Sequence, residues 1–539
     1  MGPLKSVASV LALLPLLGLG ATKAAPTPDA QRCEALTGKK LGPYTRIESA
    51  VWKPDGDTVT TSAATAKVGV PFCRIVGVAT PVADSRIGFE VWLPPASSWN
   101  GDFRGEGSGG SAGNISPGAM ADALAAGFAT MSTDNGHVDP PGTNYGLAWA
   151  YKHPQKMIDW GWRALHTSTV AAKRIVRDFY GRPAGRNYFI ACSAGGHHAL
   201  MEATRFPTDY DGMVAGAAPW KWTALMLGHT WNSMPALKDP GALTADSAAI
   251  LNRRMTAACD RLDGVEDGII AEPRRCTVDP VEFQCKAGET ANCLTPVQVD
   301  AARHIYAGAV RSNGARLQPG QVRGTELGWA PIMSGARPGG SSWEFWRQAV
   351  FQDPDFNNVN FDFDRDTDRA MATKIAGAPL PDVYDQKADL RAFAKRGGRM
   401  ILFHGLADHQ ISPLVDIDFY QRMVALQGQK QTDAFLRFFL VPGMGHCSGG
   451  VGFSHIGGAT GKPLQNDSAH DMVRALDAWV KTDEAPSAFI AAQFKDGEPV
   501  ATRPVCRYPL EAKFGGRGDA KEAANWSCKA PEKLPPQPM

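Results

Sequence analysis

Tyr188-Phe189-Ile190-Ala191-Cys192-Ser193-Ala194-Gly195-Gly196-His197-His198-Ala199-Leu200-Met201-Glu202 is the stretch on which the fold turns. A short apolar strand runs into Ser193, two glycines follow, and a helical pattern leaves on the far side. That order matches the small-x-Ser-x-Gly turn that pushes a serine hydroxyl outward between a strand and a helix, with Ala191 where the pattern usually has glycine. Small residues are needed on both sides because the turn is tight. The string alone is common, so its weight depends on what the rest of the chain supplies.

A hydrolase built on this turn places its acid and then its histidine later in the chain, each after a strand. Asp408 closes Ile401-Leu402-Phe403-His404-Gly405-Leu406-Ala407-Asp408, and His446 closes Val441-Pro442-Gly443-Met444-Gly445-His446. Ser193, His446 and Asp408 would then be nucleophile, general base and orienting acid. The plainer alternative is a helix-capping Asp408 and a loop histidine. Ala194 would supply one oxyanion-hole N–H, and the glycine-rich loop Gly105-Glu106-Gly107-Ser108-Gly109-Gly110 a second, unless it is only a flexible surface loop.

The surrounding pattern is α/β. Strands are predicted at 88–93, 127–132, 188–191, 400–404 and 435–441, separated by helical stretches such as 160–180. From 220 to 390 strand alternation fades while Pro, Gly and four cysteines accumulate, which predicts a large insertion placed to cover the site as a lid. The catalytic domain would comprise 26–219 and 391–528. Residues 1–25 carry Lys5, an apolar run from Val7 to Leu19 and small residues up to Ala25, the order of a secretory leader. Residues 529–539 hold four prolines and predict a disordered tail.

Of 539 residues, 44% are hydrophobic and 20% charged, enough for a large core. Lys and Arg number 56 against 54 Asp and Glu, with no basic block, which argues against a nucleic-acid partner. No segment is long and apolar enough for a bilayer span, so an exported protein, extracellular or periplasmic, is expected. Ten cysteines fit an oxidising compartment. Pairing sequence neighbours gives Cys33–Cys73, Cys259–Cys276, Cys285–Cys293 and Cys506–Cys528, leaving Cys192 and Cys447 for each other, although other connectivities remain open. A Cys192–Cys447 bridge would hold those Cα atoms about 4.4–6.8 Å apart and make Ser193 and His446 neighbours. Zinc is the competing use, but the spacing lacks a C-x2-C pair.

Cys192-Ser193-Ala194-Gly195-Gly196, Asp408 and His446-Cys447, together with Thr133-Asp134-Asn135-Gly136-His137, Arg205-Phe206-Pro207 and the run Pro442 to Gly450, resemble the tannase and feruloyl esterase family. The resemblance covers nearly all of the chain after the leader. It implies an α/β-hydrolase fold with a lid, the same five disulfides, the second oxyanion donor at Gly109, and a serine carboxylesterase of aromatic acids, hydroxycinnamoyl or galloyl, attached to plant polysaccharide or polyphenol. It also implies a structural Ca²⁺ in Cys259-Asp260-Arg261-Leu262-Asp263-Gly264-Val265-Glu266-Asp267-Gly268-Ile269, held by the carboxylates of Asp260, Asp263 and Asp267 and the carbonyls of Val265 and Ile269. Read alone, that loop suits either a hard cation or a solvated acidic turn.

An aromatic acyl group wants flat apolar walls. Trp343-Glu344-Phe345-Trp346 offers them, and the resemblance favours Trp346, although aromatics at this spacing often pack a core. Family members acting on terephthalate monoesters carry a carboxylate-binding arginine in a segment this chain lacks after Phe351, so that alternative, or a general aryl esterase, ranks second. Two readings of other classes are a binding protein on a hydrolase scaffold and a hydrolase using the lid aspartates to hold a catalytic metal. The first requires a Ser193 inert to fluorophosphonate. The second lacks histidine ligands.

Overall fold

Apolar runs bounded by turn residues become the strands of one nine-stranded sheet in the computed structural model of the chain. In chain order these are β1 Thr45–Lys53, β2 Phe72–Ala79, β3 Ile87–Leu93, β4 Phe103–Glu106, β5 Ala129–Thr133, β6 Asn187–Cys192, β7 Gly212–Gly216, β8 Arg399–Gly405 and β9 Leu436–Val441. Their spatial order is β1-β2-β3-β5-β4-β6-β7-β8-β9. The first three strands and the β3–β5 pair are antiparallel; every neighbour from β5 through β4 to β9 is parallel. The structure describes residues 1–2, 27–61, 64–138, 146–329, 340–458 and 460–536. Nearly all of the expected leader, and the end of the expected tail, lie outside them.

Parallel strands covered on both faces read as continuous apolar runs, and side chains alternate between the faces. Phe189, Ala191, Met400 and Leu402 join the larger core cluster, whereas Tyr188, Ile190, Ile401 and Phe403 join the cluster on the other face. Helices contribute to both: α1 Ala164–Tyr180, α2 Ala194–Arg205, α3 Trp222–Lys238 and α6 Leu414–Gln427 to the larger core, α7 Met472–Thr482 to the other, while α4 Ala245–Cys259 and α5 Pro296–Ala307 belong to the insertion. Local chemistry sets their ends. Gly181, at φ 72°, closes α1 in the left-handed region. Thr244 with Ser247 and Thr295 with Gln298 form capping boxes on α4 and α5. The helix predicted from 160 starts as a wider turn over Asp159–Arg163 before the α-helix proper.

Strands β1, β2, β4 and β7 lie outside the stretches the sequence marks. β4 contains a buried ion pair, Arg104 with Glu106 at 2.5 Å, which hides its strand character. β7 is Gly-Met-Val-Ala-Gly, and a Cβ at Gly216 would lie 2.2 Å from the Phe403 ring.

Among the described residues between β7 and β8 no segment joins the central sheet. The first part of that region, with α4 and α5, has its own core around Leu251, Met255, Val299, Ile305 and Trp329. The later part returns to the main core through Phe345, Ala370, Leu380 and Tyr384. Five disulfides join Cys33–Cys73, Cys192–Cys447, Cys259–Cys276, Cys285–Cys293 and Cys506–Cys528. Lys529, assigned to the tail from sequence, instead ends a strand and pairs with Glu511, because the Cys506–Cys528 bridge brings that segment back to the body. Among the described residues no helix is long and apolar enough to cross a membrane.

Candidate active site

Ser193 sits between β6 and α2 with φ 63° and ψ −126°, a conformation that costs a non-glycine residue free energy and that a nucleophile turn requires. Its backbone N–H donates to the Gly216 carbonyl at 2.8 Å, tying the turn to β7. Packing explains the alanine at 191. A Cβ on Gly107 would lie 2.5 Å from the Ala191 methyl, and one on Gly195 would lie 2.7 Å from it and 3.0 Å from the Ser108 carbonyl. One methyl therefore fills the space between the serine turn and the glycine loop that follows β4, and nothing larger fits.

Loops after β8 and β9 bring the other two groups. Ser193 Oγ lies 2.9 Å from His446 Nε2, and His446 Nδ1 lies 2.8 Å from Asp408 Oδ2. The second Asp408 oxygen accepts the N–H groups of Gln410 at 2.8 Å and Ile411 at 3.0 Å. Asp408 is fully buried, and burial opposes its ionisation; the charge of His446 and the hydrogen bond from His404 overcome this and hold its carboxyl well below the usual range. The Cys192 and Cys447 Cα atoms are 5.9 Å apart, one residue from Ser193 and from His446. This is a serine whose proton has a base to go to, and a base whose far nitrogen faces an anion.

A cavity of about 540 Å³ opens over Ser193 and His446, within the size range of small-molecule sites. Gly109 lines it, and Ala194, the first residue of α2, follows the lining residue Ser193. The apolar wall comes from α3: Trp222, Leu225 and Met226, with His229 beside them. Trp346, the expected wall aromatic, is instead fully buried; its indole N–H donates to Thr230 Oγ1 at 2.8 Å and its ring packs on Phe345, Phe351 and Phe361. Burial among aromatics outcompetes exposure for a ring of that size. Trp222 and His229 went unread in the sequence. Their signal was weak: Trp222 opens, and His229 lies two turns into, a helix that follows shortly after a sheet strand, where sheet-edge crevices form. Burial lowers His229 below the usual histidine range, so it is neutral; its Nε2–H donates to the Gln410 carbonyl at 2.8 Å and holds that loop.

Among the described residues, one group of histidine and carboxylate side chains places its ligand atoms close enough to share a cation: His166, Glu202 and Asp209, within 4.8 Å of one another. Burial and then Asp209 raise Glu202 well above the usual carboxylate range, so a shared proton can satisfy that pair without a cation. In the expected calcium loop, Asp260 accepts the N–H groups of Asp267, Gly268 and Ile269 at 3.2, 2.8 and 3.3 Å, and Asp267 pairs with Arg503 at 2.6 Å. One oxygen of Asp263 takes the Val265 N–H, and the other is buried without a hydrogen-bond partner. The donor set is oxygen-only, as a hard cation requires, but as these side chains stand the three carboxylates do not converge on one point, and Asp263 Oδ2 faces Arg503 Nη1 at 3.8 Å.

A family model described as "Tannase and feruloyl esterase" matches residues 73–529. The chain is 36% identical to an uncharacterised esterase of Xanthomonas campestris, over 90% of this chain and 89% of that one. It is 32% identical to the mono(2-hydroxyethyl) terephthalate hydrolase of Piscinibacter sakaiensis, over 93% and 92%. The crystal structure of feruloyl esterase B from Aspergillus oryzae superposes with a TM-score of 0.85 at 27% identity, covering 93% of this chain and all of that one.

Proposed function

The chain belongs to the tannase and feruloyl esterase family and is a carboxylic ester hydrolase, and from that premise we propose that it cleaves esters of hydroxycinnamic or gallic acids through an acyl-enzyme on Ser193. The observation that carries this reading is the hydrogen-bonded series Ser193, His446, Asp408 facing a cavity walled by Trp222. His446 takes the Ser193 proton as Oγ attacks the ester carbonyl, then returns it to the departing alcohol. The backbone N–H groups of Ala194 and Gly109 receive the charge on the tetrahedral oxygen. Water repeats the sequence on the acyl-enzyme and releases the acid.

The test is kcat/KM on methyl ferulate, methyl gallate and mono(2-hydroxyethyl) terephthalate, with Ser193→Ala as blank. A preference for ferulate or gallate supports the reading; preference for the terephthalate monoester would favour the alternative, and cleavage of p-nitrophenyl acetate alone would mean the aromatic wall is misread. Trp222→Leu keeps an apolar side chain but removes the ring, and aromatic stacking contributes about 0.5–1.5 kcal/mol. A two- to tenfold loss of kcat/KM on methyl ferulate is therefore expected, with a smaller loss on p-nitrophenyl acetate.

We further propose that Ca²⁺ is held by Asp260, Asp263 and Asp267 with the carbonyls of Val265 and Ile269, where it would tie the loop after α4 to the body and take no part in the reaction. Chelation is expected to lower the melting temperature by a few degrees and leave turnover intact in the folded sample, and Asp263→Asn should remove the chelator's effect. Immediate loss of turnover in a folded sample would contradict a structural role. Five disulfides and the leader-like first 25 residues support export as the setting.

A further inference from the structure

His404, near the end of β8, is fully buried and stands outside the series of three just described. Its Nδ1 lies 2.7 Å from Asp416 Oδ2 on α6; its Nε2 lies 2.9 Å from the Ile411 carbonyl and 3.2 Å from Asp408 Oδ2. A carbonyl only accepts, so Nε2 carries a proton. Asp416 Oδ2 already accepts the Ala218 N–H at 2.9 Å, so a second donor is the fitting partner there too, and a neutral imidazole has only one N–H. These contacts suit His404 as an imidazolium between two carboxylates; burial works against this by raising Asp416 above the usual carboxylate range, and the charge of His404 works for it. Burial opposes that charge, but the charge of Asp416 and the hydrogen bonds of both aspartates outweigh it and raise the group to about 10.

The position of this cation matters. Ala218 packs beside Gly196 in the first turn of α2, where a glycine Cβ would lie 3.1 Å from the Ala218 methyl. The series Ala218, Asp416, His404, Asp408 therefore runs from the floor under the nucleophile to the acid that orients the base. We propose that His404 is a positioning residue of the hydrolysis: as an imidazolium held by Asp416, it fixes the Asp408 carboxylate against His446 and offsets part of the negative charge that His446 feels. This rests on the reading of Ser193, His446 and Asp408 as the reacting groups.

A direct consequence concerns pH. The base must be neutral to accept the serine proton, and an unshielded Asp408 would favour the charged form of His446. Removing the cation therefore moves the acid limb of kcat/KM to higher pH. The groups facing His446 are Asp408 and Ser193, with His229 and His409 further off; burial lowers both of those histidines below the usual histidine range. The largest electrostatic partners of His404 are Asp416 and then Asp408.

The experiment is kcat/KM on methyl ferulate from pH 5 to 10 for the wild type, His404→Gln, Asp416→Asn and Ser193→Ala. In His404→Gln the acid limb is expected to rise by about one pH unit, roughly a tenfold loss near pH 6 that shrinks towards pH 9. Asp416→Asn, which releases the proton on Nδ1, should move the limb the same way. A limb at the wild-type pH in folded variants, with a uniform loss at every pH, would overturn the proposal and leave His404 a packing residue. If Ser193→Ala keeps its activity, the reading of the reacting groups fails instead. Should neither variant fold, the unaltered enzyme still decides. Among its 12 histidines, one ¹⁵N imidazolium signal should persist at pH 8.5, and its absence would refute the assignment. Stability gives a parallel readout. A histidine raised to about 10 from an ordinary value near 6.5 adds stability that is full below about pH 6.5 and lost as pH climbs through 10, a decline His404→Gln should lack.

Discussion

Ser193→Ala is expected to lower kcat on methyl ferulate by about 10⁶-fold while leaving the melting temperature at or above that of the wild type. The size follows from the chemistry. Without Oγ there is no covalent intermediate, and His446 has nothing to activate in the right place, so the groups that act as a unit lose their function together. About 8 kcal/mol of barrier lowering is at stake. The stability expectation follows from the backbone. Alanine keeps the Cβ and with it the strain of φ 63° and ψ −126°, so the substitution removes only a hydroxyl held there for the reaction rather than for packing. Stopped turnover with an unchanged or raised melting temperature would identify Ser193 as a reacting group. Substantial remaining turnover would remove the acyl-enzyme from the account, and failure to react with a fluorophosphonate in the wild type would return the binding-protein alternative.

Replacing Cys192 and Cys447 together by alanine is expected to reduce kcat by about 100-fold in a sample that is still folded, with a drop in stability of at most about 5 kcal/mol from chain entropy. The bridge spans a sequence separation of 255, so its contribution to the unfolded chain is near the upper end for disulfides. Its local effect is sharper. It ties the residue before the nucleophile to the residue after the base, and Cys447 itself sits at φ 63°, a conformation the loop must hold to aim His446. A shift of about 1 Å at that position lengthens the 2.9 Å contact between Oγ and Nε2 beyond hydrogen-bond reach. The measurement pairs kcat at a temperature well below the melting transition with the melting curve itself. Equal kcat in the folded double variant would assign the bridge to stability alone.

These expectations draw on two kinds of information. Strands β3, β5, β6, β8 and β9 were legible because each is a buried apolar run closed by turn residues, a signal carried within a few positions. The same locality made Ser193, Asp408 and His446 readable, since each follows such a strand. β4 and β7 were not legible. The first hides two polar side chains, Arg104 and Glu106, that meet only once folded, and the second is glycine at both ends because neighbouring strands carry the Phe403 and Tyr188 rings that need the room.

What the amino-acid order determined by itself was the alternation of strand and helix, the serine turn, the order of acid and base along the chain, and a cysteine set that could place Ser193 beside His446. Tertiary structure alone decided which aromatic meets the cavity: Trp346 is drawn into the core by three phenylalanines, leaving Trp222 at the wall. It also decided that His404 stands between Asp408 and Asp416, and that one Asp263 oxygen, without a hydrogen bond, lies 3.8 Å from Arg503 Nη1. The reason is physical. Periodicity and turn chemistry act over a few residues, whereas the charge state of a buried histidine or the exposure of an indole is set by groups that meet only when distant segments pack.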